Sequence, residues 1–292
     1  MILLVIILFI FALVLLLFPL VRLILFHPFK VIYNVIRDFI KFFKECRFNI
    51  ASTGHIICYC GLFGKGKTLS AVARVVDYYN RYNDVTIFDL GRMKFVKQKV
   101  HILSNVDLIV PFEPLVSLEQ IVWITEKYKQ FDIDNNIRTV HLCLIDEASV
   151  QLNSRDWKKN IDALFLNTVL TCRHHYIEII LTAQRFNHLD SLLRQVCTTV
   201  IQVNKKWRFQ LLNYYDAYAL EHASNPDMIK PYFKTGFFVD DKHYGYYDTL
   251  ACVGNLKKDF KNGNRLTEKE ILELQQSKNV IQEKNEKRGI FK

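Results

Sequence analysis

An α/β fold is predicted, with a mostly parallel sheet covered by helices and one transmembrane helix ahead of it. Three observations predict it. Short apolar runs alternate with stretches of helical periodicity between residues 55 and 182, the pattern of a parallel sheet with helices on both faces. Residues 140–145 are almost continuously apolar, as a strand covered on both faces must be. Residues 2–18 contain no polar side chain at all. The 292 residues are enough for one α/β domain with attachments and a proper core.

The apolar run continues through Pro19, Leu20 and Val21 to Arg22. About 20 helical residues at ~1.5 Å each cross a hydrocarbon layer of ~30 Å. A secretory signal would show a positive leading region, a shorter apolar stretch and a small-residue cleavage site. Here only Met1 precedes the run and no such site follows, so residues 1–26 are expected to be an anchor. Arg22, Lys30, Arg37, Lys41, Lys44 and Arg47 come next, against Asp38 and Glu45. Basic flanks stay in the cytoplasm. The N-terminus is therefore expected outside and the bulk of the chain inside. Within the basic segment 27–50, Ile32, Ile36, Phe39 and Phe43 recur at helical spacing over residues 31–43, with Arg37, Lys41 and Lys44 on another side. Such a helix fits a membrane surface or the side of the main domain.

The main domain is expected over residues 51–205. Strands are predicted at 55–60, 85–88, 100–103, 140–145 and 177–182, and helices at 68–81, 118–129 and 162–172. Ser117 with Gln120 fits a capping box for the second helix, and 133–138 reads as a polar connection. From Asn204 tyrosines, phenylalanines and turn residues dominate. Residues 206–254 are read as an accessory region and 255–292 as a charged tail with a helix near 266–276.

Cysteines number seven: Cys46, Cys58, Cys60, Cys143, Cys172, Cys197 and Cys252. The odd count and apolar settings favour core packing over a disulfide or metal site, and a reducing compartment. Cys58 and Cys60 point to one face of their strand. A net charge of +10 and a pI near 9.2 suit an anionic partner, nucleic acid or lipid, or simply a solubilising surface.

Gly61-Leu62-Phe63-Gly64-Lys65-Gly66-Lys67-Thr68 fits G-x-x-x-x-G-K-[ST], with a strand before it and a helix after it, and these eight residues with Leu69 are the expected nucleotide-binding set. Glycines let the backbone fold tightly so that N–H groups turn inward on phosphate oxygens, and the helix N-terminus adds positive potential. Lys67 is placed to reach the β- and γ-phosphates of ATP and Thr68 to ligate Mg²⁺. Leu142-Cys143-Leu144-Ile145 then ends in Asp146-Glu147, the Walker B form. Asp146 is the second Mg²⁺ residue and Glu147 the group that orients or deprotonates the attacking water. These motifs specify a P-loop NTPase of the RecA/ASCE-like kind. At the tip of the next strand Gln184, with Thr182 second, is the expected γ-phosphate sensor. Arg155, Arg173 and Arg194 are candidate arginine fingers. Arg173 lies before the sensor strand, at the end opposite the P-loop, where it suits a neighbour's nucleotide better than its own.

Together, Gly61–Thr68, Asp146-Glu147-Ala148, Asn153-Ser154-Arg155, Arg173-His174-His175, Leu181-Thr182-Ala183-Gln184, Asp190 and Arg194 resemble the HerA/FtsK superfamily, and within it the zonular occludens toxin family. That family includes the filamentous-phage assembly ATPases. The resemblance runs from about residue 56 to 203. It implies a motor in the host inner membrane that drives extrusion or packaging of phage DNA, with ATP and Mg²⁺. It also implies a homo-oligomeric ring, of hexameric type, and phage assembly or capsid proteins as partners, and it implies no toxin activity. In the filamentous-phage relatives the membrane span follows the ATPase domain. The span expected here comes first, as in FtsK translocases and conjugative coupling proteins.

Two other classes are weighed against this. A GTPase would carry N-K-x-D, but Trp207 follows Asn204-Lys205-Lys206, and Asp89-Leu90-Gly91 is one residue short of D-x-x-G. A small-molecule kinase gives no reason for a span or for Glu147. A non-hydrolysing membrane scaffold is opposed by intact Lys67, Asp146 and Glu147. Trp207, Arg208, Tyr214 and Tyr215 either meet DNA by phosphate pairing and stacking or pack the accessory region.

Overall fold

The computed structural model describes residues 15, 18–151 and 172–247, and the chain divides into two units at Phe48 and Asn49. In the first, helix α1 (Pro19–Phe26) and helix α2 (Pro28–Lys44) each begin with a proline. The missing N–H costs nothing at a helix start. The two axes differ by 94°, with the break at His27. The helix expected at 31–43 thus starts earlier, at Pro28. No residue of either helix is buried. Among the described residues no single helix is long and apolar enough to cross a membrane, although the bent α1–α2 pair passes by length and composition together. The expected span at 1–26 falls mostly outside the described residues.

The second unit is built on a sheet. Its elements are β1 (Ile56–Cys60), α3 (Lys67–Tyr82), β2 (Val85–Asp89), β3 (Lys94–Ser104), β4 (Glu113–Pro114), α4 (Glu119–Asp134), β5 (Ile137–Ile145), α5 (Ala148–Gln151), β6 (Ile177–Ala183), α6 (Ser191–Val196), β7 (Thr199–Lys206), β8 (Phe209–Asp216), α7 (Ala217–His222), β9 (Phe233–Phe238) and α8 (Asp241–Tyr244). Strand order is β2-β3-β5-β6-β1-β7-β8-β9, with β4 beside β3. Alternation along β1 explains the layers. Ile57 and Tyr59 pack with Val72, Val75 and Val76 of α3, while Ile56 and Cys58 lie in the opposite cluster with Ile121, Ile124 and Tyr128 of α4. The thiols of Cys58 and Cys60 lie 3.4 Å apart within that second layer.

The sheet is mixed: among the described residues five strand pairings are parallel, as expected, and three are antiparallel. Strands β3, β5, β6, β1 and β7 run parallel, but β2 pairs antiparallel with β3, and β8 and β9 add antiparallel strands at the other edge. Chain length between strands is the reason. Four residues join β2 to β3 and two join β7 to β8, far too few for a parallel crossover. Trp207 turns the second of these links at φ 56°. The stretch expected as an accessory region therefore continues the central sheet through β8 and β9. Strand β3 is also much longer than the expected 100–103, and the link expected at 133–138 shrinks to residues 135–136.

The capping box takes another form. Ser117 Oγ accepts from Gln120 N at 3.4 Å, but Gln120 Oε1 accepts from Val116 N at 2.8 Å instead of closing on Ser117. The helices expected at 162–172, but for Cys172 in a turn at its end, and at 266–276 lie outside the described residues, as do the sites Asn153, Ser154 and Arg155.

Candidate active site

The carboxyl ends of the parallel strands share one edge, and each delivers part of a site there. The P-loop follows β1, Asn105 follows β3, Asp146-Glu147 follows β5, and Gln184 follows β6. Gly64 and Gly66 have φ of +73° and +81°, conformations that side chains rarely adopt. A Cβ on Gly61 would stand 2.9 Å from the Val203 carbonyl. Lys67, buried at the start of α3, holds its Nζ 3.5 Å from the Leu62 carbonyl and over the Phe63 ring. Leu62 and Phe63 are exposed, whereas Leu69 is 4% exposed. Its side chain thus belongs to the interior, which leaves its backbone, at the start of α3, as the part that faces the loop's side of the helix.

Thr68 and Asp146, 78 residues apart, meet: Thr68 Oγ1 donates to Asp146 Oδ1 at 2.9 Å. The same carboxylate oxygen accepts from Thr182 Oγ1 at 2.6 Å, and that hydroxyl accepts from Glu147 N at 3.0 Å. Thr182 thus binds both acids to the tip of β6. Glu147 sits at φ 51°, in the left-handed region, where a non-glycine residue stores about 1–3 kcal/mol of strain. This backbone turn takes Glu147 out of the β5 line directly after Asp146. Such strain collects where function fixes a side chain's direction.

Asn105 was not singled out from the sequence. Its Nδ2 donates to the Asp146 carbonyl at 3.0 Å and its Oδ1 accepts from Asp146 N at 2.8 Å. This two-way clamp fixes the backbone that carries the carboxylate. The only local signal was an amide residue directly after an apolar strand. Asn105→Ala leaves both backbone groups without these partners, at about 1–3 kcal/mol each. We expect ATPase kcat to fall about tenfold with a lower melting temperature, measured by steady-state assay and thermal unfolding.

Gln184 lines a cleft of about 640 Å³ with Gly61, Leu62 and Lys65, whereas Thr68 and Asp146 do not line it. Arg173 is exposed just ahead of β6, packed so closely on Gly54 that a Cβ there would lie 2.7 Å from its own. That is the sheet edge opposite the P-loop. Arg194 is engaged within the chain: Nε donates to Glu221 at 2.5 Å and Nη1 to the Leu189 carbonyl at 2.7 Å.

A family model described as zonular occludens toxin (Zot) matches residues 55–284, well past the 203 expected from the motifs. No curated protein matches the chain. Among solved structures, the N-terminal domain of zonular occludens toxin from Neisseria meningitidis matches at 17% identity and a TM-score of 0.42. The match covers 68% of this chain and 100% of that one. The genome packaging NTPase B204 from Sulfolobus turreted icosahedral virus 2, in complex with ATP-gammaS, matches at 12% identity and a TM-score of 0.38. It covers 57% and 94% of the two chains. EccC (ATPases 2 and 3) from Thermomonospora curvata matches at 8% identity and a TM-score of 0.39, covering 80% and 43%.

Proposed function

Because this chain belongs to the zonular occludens toxin family and carries a P-loop ATPase site, we propose that it is a membrane-anchored motor. Mg-ATP hydrolysis in it powers assembly, extrusion or packaging of phage DNA. The observation that carries the ATPase part is the convergence of Thr68 on Asp146, with Glu147 next in line. The donor set fits the ligands. Two oxygen groups in contact, one of them anionic, suit a hard divalent cation. The glycine-built loop offers backbone N–H groups where a side chain would obstruct.

In this reading Thr68 and Asp146 hold Mg²⁺, which when bound neutralises charge on the phosphate oxygens. Lys67 reaches the terminal phosphates from the first turn of α3. Glu147 orients the attacking water and takes its proton, while Thr182 keeps both acids in place. Gln184, which lines the cleft beside the P-loop, would contact the terminal phosphate. Arg173 serves a neighbouring subunit of a ring, since its own P-loop lies at the far edge of the sheet. The apolar residues 2–18 anchor the chain, and the basic residues after them hold the ATPase unit on the cytoplasmic side of the host inner membrane.

The test is ATP hydrolysis by the full chain in detergent, with and without single-stranded DNA, across a salt series. We expect turnover that DNA accelerates, with the acceleration fading as salt rises. Turnover indifferent to DNA would redirect the motor to membrane-protein assembly. No turnover under any condition would favour a nucleotide-binding scaffold.

A further inference from the structure

Strand β8 alternates exposed and buried positions: Phe209 and Leu211 are exposed, while Gln210 and Leu212 turn inward. The inward face of a strand calls for apolar residues, so a completely buried glutamine is informative. Its Nε2 donates to the Lys65 carbonyl at 2.6 Å and lies 3.3 Å from the Gly66 carbonyl. Both neighbours are carbonyl oxygens, so the atom facing them must be the amide nitrogen. Among the described residues, Oε1 of the same side chain is buried with no partner. The strand thus buries a polar group at some cost to reach the P-loop.

We infer that Gln210 is a positioning residue that sets the phosphate-binding geometry of the P-loop from the far strand of the β7–β8 hairpin. Peptide groups are planar and trans, so a carbonyl and the N–H of the following residue point in opposite directions. Holding the Lys65 carbonyl outward turns Gly66 N–H inward, and holding the Gly66 carbonyl outward does the same for Lys67 N–H. The Gly66 carbonyl also accepts from Ser70 N at 2.9 Å, in the first turn of α3. Gln210 and the helix therefore fix the same peptide from two sides. A Cβ on Gly66 would lie 2.7 Å from Gln210 Nε2, so a side chain there would push the amide off the loop. The inference rests on nucleotide binding at the P-loop and adds a residue that does not touch the nucleotide. It also ties the loop to β8, whose neighbours Phe209 and Leu211 are exposed.

The test compares wild type with Gln210→Met in the full chain, titrating fluorescent ATP and ADP analogues and recording nucleotide-free melting temperature. Methionine keeps the length and removes the unpartnered Oε1 together with the donor, so the fold should hold its melting temperature within a few degrees. Affinity for ATP and ADP should fall together by about tenfold, the worth of one hydrogen bond. KM for ATP should rise by a similar factor while kcat at saturation stays within about twofold. Equal affinities for variant and wild type would overturn the inference and leave the nucleotide reading standing. Absence of binding by the wild type would overturn both. Should the methionine chain fail to fold, Gln210→Asn is read in the same way, because its amide falls one methylene short of Lys65.

Discussion

Glu147→Gln is expected to lower ATPase kcat by about 10³-fold, within the range for removing a general base, while nucleotide affinity changes little. Glutamine has the same shape and cannot take a proton. The features that place Glu147 all lie in its backbone. Its N–H donates to Thr182 Oγ1, its carbonyl accepts from Val150 N at 2.8 Å, and φ is 51°. The variant should therefore keep the fold and the Thr68–Asp146 contact and lose only chemistry. Parallel measurements of turnover and of ATP-analogue binding check this. Loss of both would mean that Glu147 supports the loop, and undiminished turnover would remove it from the reaction.

The second large effect lies beneath the site. Glu178 on β6 is fully buried and meets Arg74 of α3, with 3.3 Å between Nη2 and Oε1. Burial pushes its carboxyl up to about 7, against the opposing pull of Arg74. A carboxyl whose folded value is raised binds its proton more tightly in the folded state. The stability this contributes is complete below the ordinary value of 4.5 and is lost as pH rises through about 7. Arg74→Met strands the charge. At pH 8 this should cost about 3 kcal/mol, a fall of roughly 6–12 °C in melting temperature for a unit of this size. At pH 5 Glu178 is protonated with or without Arg74, and the loss should be much smaller. Adding Glu178→Leu to Arg74→Met should restore most of the stability at pH 8, since a buried pair replaced by apolar groups is often neutral. A pH-independent loss, or no recovery in the double variant, would show that Arg74 acts by packing alone.

The parts of the site written in consecutive residues were legible in the sequence. The P-loop lies between β1 and α3 as its spacing required, and the acid pair closes β5. The Thr68–Asp146 contact follows from the roles those motifs imply. The buried strands 140–145 and 177–182 were visible because two-sided burial leaves an uninterrupted apolar run. The edges of the sheet were less legible. Strand β2 carries the same strand-forming residues whether it runs parallel or antiparallel, and direction is settled by the length of the link to β3. The hairpin of β7 and β8 was hidden for a similar reason. Aromatic and turn residues announce short strands but not which sheet they join.

Local composition therefore determined that this chain holds a nucleotide loop, an acid pair and the strands that carry them. It also determined that the chain opens on an apolar segment followed by basic charge. Tertiary structure alone decided what holds the P-loop and the acid pair in place. Asn105 reaches Asp146 across 41 residues, Thr182 across 36, and Gln210 reaches Lys65 across 145. Periodicity along the chain reports which face of an element is buried. It carries no information about which polar side chain from a distant strand will stand opposite, because that depends on strand order and register, which are set only when the sheet assembles.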